Sequence, residues 1–276
     1  MEHSELIIWS TMLGGLLTLA IVAVADVAIH GSREAWRGFA FMLTAGLSCM
    51  LFTGLVEHAI PSISWTAMLA LRTSLVPLSG ALALIYLGLW MGAAYEDRLV
   101  HACVAWGSKV LLASAATLGS FALVLDESHA MDLVAISALV SAFGVVLGAI
   151  ASARAAQLGD SLARWMAVAC VLLAVAEAGL FANLVQLPFY GDGLRVLTAL
   201  STVAFFLVCS AVGYRRSREI RRLSRLAKLS QGADPATGLP RGSVLLAKVD
   251  DAFWRSARLG RECTVVCLHI RNLYEL

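Results

Sequence analysis

Residues 131–154 read MDLVAISALVSAFGVVLGAIASAR, with Asp132 and Arg154 the only charges and one at each end. The hydrocarbon core of a bilayer is about 30 Å thick and a helix rises 1.5 Å per residue, so about 20 apolar residues suffice to cross it. This stretch meets that requirement. Working outward, six further segments meet it too: Leu6 to His30, Gly38 to Ile60, Thr66 to Tyr95, Leu99 to Leu125, Ala163 to Leu187 and Leu194 to Tyr214. Short polar breaks separate them. The expected fold is therefore an all-α polytopic membrane bundle of seven transmembrane helices.

The bulk composition agrees. The chain has 276 residues, 59% of them hydrophobic and 14% charged, with a mean hydropathy of +0.80. A soluble domain carries roughly a quarter charged residues, and lipid makes exposed charge costly. Thirteen of the 21 Lys and Arg residues fall from Arg215 onward, so an apolar region ends near Tyr214 and a charged one follows. The start, Met1-Glu2-His3-Ser4-Glu5, is acidic, whereas a cleavable signal peptide opens on positive charge. Cys49, Cys103, Cys170, Cys209, Cys263 and Cys267 form no CxxC pair, and Cys263 and Cys267 lack partners at zinc spacing, so they read as small packed residues.

Orientation follows from the basic residues, which concentrate on the cytoplasmic side. With the C-terminal side inside, seven spans place Met1 outside. The inner breaks then hold Arg33, Arg37, Arg98, Arg154 and Arg164, and the outer ones Arg195 with Asp126, Glu127, Asp132 and Asp192.

Three regions result: a membrane region over residues 1–214, a basic juxtamembrane helix or linker over 215–233, and the start of a further domain over 234–276. The middle one, from Arg215 to Leu229, reads as a helix continuing out of the last span, with Gly232 as a stop. Its basic residues face anionic lipid rather than nucleic acid. Its narrow apolar stripe (Ile220, Leu223, Leu226, Ala227) is a candidate seam for pairing two copies.

Next comes Asp234-Pro235-Ala236-Thr237-Gly238-Leu239-Pro240-Arg241, then apolar residues at helical spacing from Ser243 to Leu259, then the strand-like run Thr264 to Ile270. The turn resembles the D-x-L-T-G-L-x-N-R opening of GGDEF domains, the diguanylate cyclase family, on Asp234, Thr237, Gly238 and Leu239. Ala236 stands at the usual Leu and Arg241 at the usual Asn. Leu268-His269-Ile270-Arg271-Asn272-Leu273-Tyr274 aligns in register with the family's L-D-x-D-x-F-K segment.

The resemblance covers about 43 residues (234–276). It implies the first turn, helix and strand of an α/β domain, a role in cyclic di-GMP signalling, and GTP with Mg²⁺ in a complete active domain. The departures are at the metal side: His269 and Arg271 replace two acids. A neutral imidazole is a poor ligand for Mg²⁺, which prefers oxygen, and Arg271 adds positive charge. The family's GGDEF signature does not occur within the 276 residues. The resemblance thus implies a degenerate, regulatory domain, with no cofactor held by these residues.

Ionisable residues at membrane depth are functional candidates by default. Glu57, His58, Arg72, Glu177, Asn183 and Gln186 fall in the outer halves of their spans, and Asp26 and Lys109 in the inner halves. Two readings stay open. The outer group forms a ligand-sensing pocket for an unknown small signal, or Arg72 neutralises Glu57 or Glu177 while Asp26 neutralises Lys109. No metal site is expected, since no two histidines stand at i, i+4. Pro77 falls inside the third span, where Thr73 and Ser74 are candidates to satisfy the backbone groups it frees. Gly14, Gly15, Gly144, Gly148 and Ala149 permit close helix packing.

The reading that joins these features is a sensor in a bacterial inner membrane. It couples a periplasmic or membrane signal to a GGDEF-like output in the cytoplasm. The alternatives are a transporter or membrane enzyme with an incidental tail, and a passive anchor.

Overall fold

The computed structural model describes residues 3–31, 33–60, 62–91, 95, 97–125, 127–229, 243–260 and 262–265. It contains the helices α1 (His3–His30), α2 (Arg33–Phe52), α3 (Leu55–Ala59), α4 (Trp65–Trp90), α5 (Arg98–Val124), α6 (Ala130–Gln157), α7 (Ser161–Leu184), α8 (Asp192–Leu229) and α9 (Ser243–Leu259), with a 3₁₀ turn at Glu127–His129. Seven of them, α1, α2 and α4 to α8, are long and apolar enough to cross a membrane. The chain is a multi-pass helical membrane bundle.

Two compact units divide the chain: Met1–Ala156 with Asp160–Val212, and Gln157–Gly159 with Gly213–Leu276. The first holds the bundle. The second holds the basic end of α8 and all of α9, whose bounds match the expected helix. Asp234, Thr237, Gly238, Leu239, His269 and Arg271 lie outside the described residues. Of the expected strand, only Thr264 and Val265 are described, without regular structure.

The bundle inverts the usual distribution of side chains. Ile21, Val124, Leu139, Val171 and Leu200 stand exposed on its rim, while Thr73, Ser108, Ser137, Ser141, Ser152, Thr198 and Thr202 are buried. In lipid the rim gains nothing by hiding apolar groups, so small and hydroxylated residues collect where helices touch. Half of the apolar stretch of α8 is buried but only about a tenth of that of α1, so α8 is the more central helix. Phe41 of α2 packs its ring on Phe205 and Phe206 of α8, and Leu118, Ala122, Ala130, Leu133 and Val134 of α5 and α6 close around Leu69 of α4.

Local signals start the helices. Ser64 accepts from the Ala67 N–H, Asp97 from those of Leu99 and Val100, and Asp160 from that of Leu162. Each satisfies donors that a helix N-terminus leaves without intrahelical partners.

One expected span differs. The segment from Gly38 to Ile60 is not one helix: α2 stops at Phe52, the chain turns through Thr53 and Gly54, and α3 follows. Gly54 takes φ 78°, a left-handed conformation that suits glycine. Leu55 and Val56 kept the stretch apolar and hid the break from a hydropathy reading. Gln186, expected within the sixth span, lies past the end of α7 with φ 53°.

Pro77 shows how a helix defect is repaired. Proline has no N–H, so the carbonyl four residues earlier, that of Thr73, loses its helical donor. The Ser137 hydroxyl of α6 donates to it at 3.2 Å. The hydroxyls of Thr73 and Ser74 donate backward instead, to Leu69 and Ala70. The repair comes from a neighbouring helix, not from the residues adjacent in sequence.

Candidate functional site

The expected outer group separates into two places. The first is the C-terminus of α2, whose last carbonyls have no intrahelical donors. Arg72, buried two turns into α4, donates from Nε to the Leu51 carbonyl at 2.9 Å. Its Nη1 pairs with Glu57 Oε1 of α3 at 3.0 Å. Asn183, near the end of α7, donates from Nδ2 to the Phe52 carbonyl at 3.1 Å, and the Thr53 hydroxyl reaches Met50. Side chains from two other helices thus cap α2, and the break after Phe52 leaves no bare helix end. A guanidinium suits this position because it serves a carbonyl and a carboxylate at once.

The second place surrounds Glu177 of α7. The Ser141 hydroxyl of α6 donates to Glu177 Oε1 at 2.7 Å. The carboxyl also borders a cavity walled by Ala45, Ser48, Cys49 and Phe52 of α2, Val76 and Ser79 of α4, Leu173, Ala176, Leu180 and Phe181 of α7, and Thr202, Phe205 and Phe206 of α8. About 40 Å³ of it can hold the centre of a water-sized molecule. One water needs about 10–15 Å³ by that measure, so the space accommodates a few waters or one small molecule. The Phe52 and Phe181 rings meet edge to face at 4.8 Å, as do those of Phe205 and Phe206 at 5.1 Å.

Arg72 therefore pairs with Glu57 and not with Glu177. His58 and Gln186 are exposed and join neither place. Asp26 and Lys109 do not pair with each other among the described residues: Asp26 is half-buried on α1, while the exposed Lys109 ammonium stands 4.9 Å from the Trp106 ring centre. Among the described residues no three His, Cys, Asp or Glu side chains converge as a metal site.

Several partners were not foreseen. Ser137, Ser141, Gly144 and Gly148 recur at spacings of four, three and four along α6 and all face inward. That periodicity was a readable sign of the α6 face on which Ser141 meets Glu177. Asp97 caps α5 and receives Arg154 of α6 at 3.0 Å. The Arg154 bond and the two capping N–H groups hold the Asp97 carboxyl below its ordinary value. At the other end of the bundle Arg195 of α8 meets Glu5 of α1 at 3.4 Å and Asp192 at 2.8 Å. No protein-family model, no curated protein and no solved structure matches the chain.

Proposed function

We propose that this chain is the membrane-sensing part of a cyclic di-GMP signalling protein, carrying a message from the bundle to a GGDEF-like output. One observation supports this most. The helix that walls the cavity with Thr202, Phe205 and Phe206 is the same continuous helix that runs on to Leu229, five residues before the GGDEF-like turn at Asp234. Occupancy of the cavity and the start of the output segment therefore share one helix, and a shift of α8 couples them. The distribution of basic residues supports an orientation with the C-terminal side in the cytoplasm, at an inner membrane, and the N-terminus outside.

The metal-side chemistry makes the output regulatory. His269 and Arg271 do not suit a hard divalent cation, so no step through GTP and Mg²⁺ is assigned to these residues. Purified full-length protein given Mg²⁺ and GTP is expected to yield no cyclic di-GMP from this domain, and product that depends on it would refute the regulatory role.

Exchange of α1 to α7 and the membrane part of α8 for an unrelated anchor tests the sensor reading itself. A changed cellular cyclic di-GMP level is expected. A level equal to that of the intact protein would leave the bundle a passive anchor. An alkaline phosphatase reporter is expected to be active when fused after Leu125 and silent after Tyr214; the reverse pattern would overturn the orientation.

A further inference from the structure

We propose that the Glu177 cavity binds a small apolar ammonium compound, with Glu177 as its counter-ion. The inference deepens the sensor reading and rests on it only for the claim that occupancy is a signal.

Among the described residues the cavity wall contains no Lys, Arg or His. Arg72, for which Glu57 and Glu177 were the two candidate partners, is held by the Leu51 carbonyl and Glu57. A carboxyl in an apolar bundle without a cation is a costly arrangement, and among the described residues Glu177 receives only the Ser141 hydroxyl. A ligand that brings its own positive charge supplies the missing partner.

The walls suit the rest of such a molecule. Phe52, Phe181, Phe205 and Phe206 present four rings around the same space, and aromatic faces attract ammonium groups once both are removed from water. The limited volume restricts the ligand to a few heavy atoms including the nitrogen, since a cavity must reach about 150 Å³ to take a benzene ring. An anion is disfavoured by the carboxylate, and a neutral apolar molecule leaves Glu177 as it is.

Ethylammonium and its neutral isostere ethanol serve as probes, titrated into the detergent-solubilised full chain while thermal stability and heat of binding are recorded. Ethylammonium is expected to give saturable binding and a saturable rise in Tm, and ethanol neither. Glu177→Gln should weaken the amine about tenfold or more, the loss expected for one charge-assisted contact.

Should Glu177→Gln fail to fold, Ala45→Leu fills the space and keeps the carboxyl; it too should abolish amine binding. Equal binding of amine and alcohol, amine binding that survives either folded variant, or no saturable amine binding would overturn the proposal. Amine binding without any change in cellular cyclic di-GMP would leave this site standing and reject the sensor reading.

Discussion

Arg72 and Leu51 are joined by a hydrogen bond from the guanidinium Nε to a main-chain carbonyl at 2.9 Å, so a charged side chain of α4 completes the end of α2. The arrangement makes Arg72 structural even though it is an ionised group in an apolar bundle. Removing it leaves a buried carbonyl without a donor, at about 1–3 kcal/mol.

Arg72→Ala is therefore expected to lower thermal stability in detergent by about 2–3 kcal/mol, combining the lost carbonyl and carboxylate bonds. Glu57→Gln should cost under about 1 kcal/mol, because the Glu57 side chain is 44% exposed and exposed ion pairs contribute little. Asn183→Ala, which frees the Phe52 carbonyl, should fall between them. Denaturation of the three variants side by side checks the order. An Arg72→Ala protein as stable as wild type would contradict the capping role.

The Ser137 bond to the Thr73 carbonyl exists because Pro77 removed the helical donor. Ser137→Ala should cost about 1 kcal/mol in the native background. With Pro77→Ala already present, the Thr73 carbonyl regains an N–H and the same change should cost less. A double-mutant cycle measures the difference, expected at about 0.5–1 kcal/mol; strict additivity would refute the repair.

Gly179 marks the tightest approach of α7 to α8. A Cβ built there would lie 1.9 Å from Thr198 Oγ1. That hydroxyl already donates to Leu194 and receives the Tyr190 hydroxyl at 2.8 Å. Burial raises the Tyr190 phenol above its ordinary value, so it stays protonated as the donor. Gly179→Ala should displace Thr198, break the Tyr190 bond and destabilise by about 1–3 kcal/mol. Gly14, with open space around its Cβ position, is the control: Gly14→Ala should be close to neutral.

Asp97 supplies a pH dependence whose sign is set by its lowered value. A carboxyl depressed in the folded state stabilises fully above its ordinary value of 3.8 and loses that contribution as pH falls through the folded value. Tm should therefore decline as pH drops below about 4, and Asp97→Asn should flatten that decline while lowering Tm near neutrality. A wild-type acid limb identical to that of Asp97→Asn would show that the Arg154 pair contributes nothing.

Much of the bundle was legible because hydropathy reports spans directly. Every expected span has a helix, with ends displaced by only a few residues except after Phe52 and after Tyr214, where α8 continues through the juxtamembrane segment to Leu229. Helix neighbours were not legible. Arg72, Glu57 and Glu177 all fall in the outer halves of their expected spans, but the direction each side chain takes around its helix axis depends on packing that no single segment encodes. Hence one of the two suggested partners of Arg72 is present and the other is not. Ser141 and Ser137 went unnoticed because a lone serine in an alanine-rich span looks like filler; only the spacing of the whole α6 face distinguishes them.

The capped end of α2 has a mechanical consequence. Two side chains gripping the successive carbonyls of Leu51 and Phe52 fix how α2 can spin about its long axis, much as a key fixes a shaft. Ala45, Ser48, Cys49 and Phe52 lie along one stripe of that shaft, so the grip at its tip sets the angle at which the stripe meets Glu177. Loosening Arg72 or Asn183 should then alter the shape of a cavity that neither residue lines.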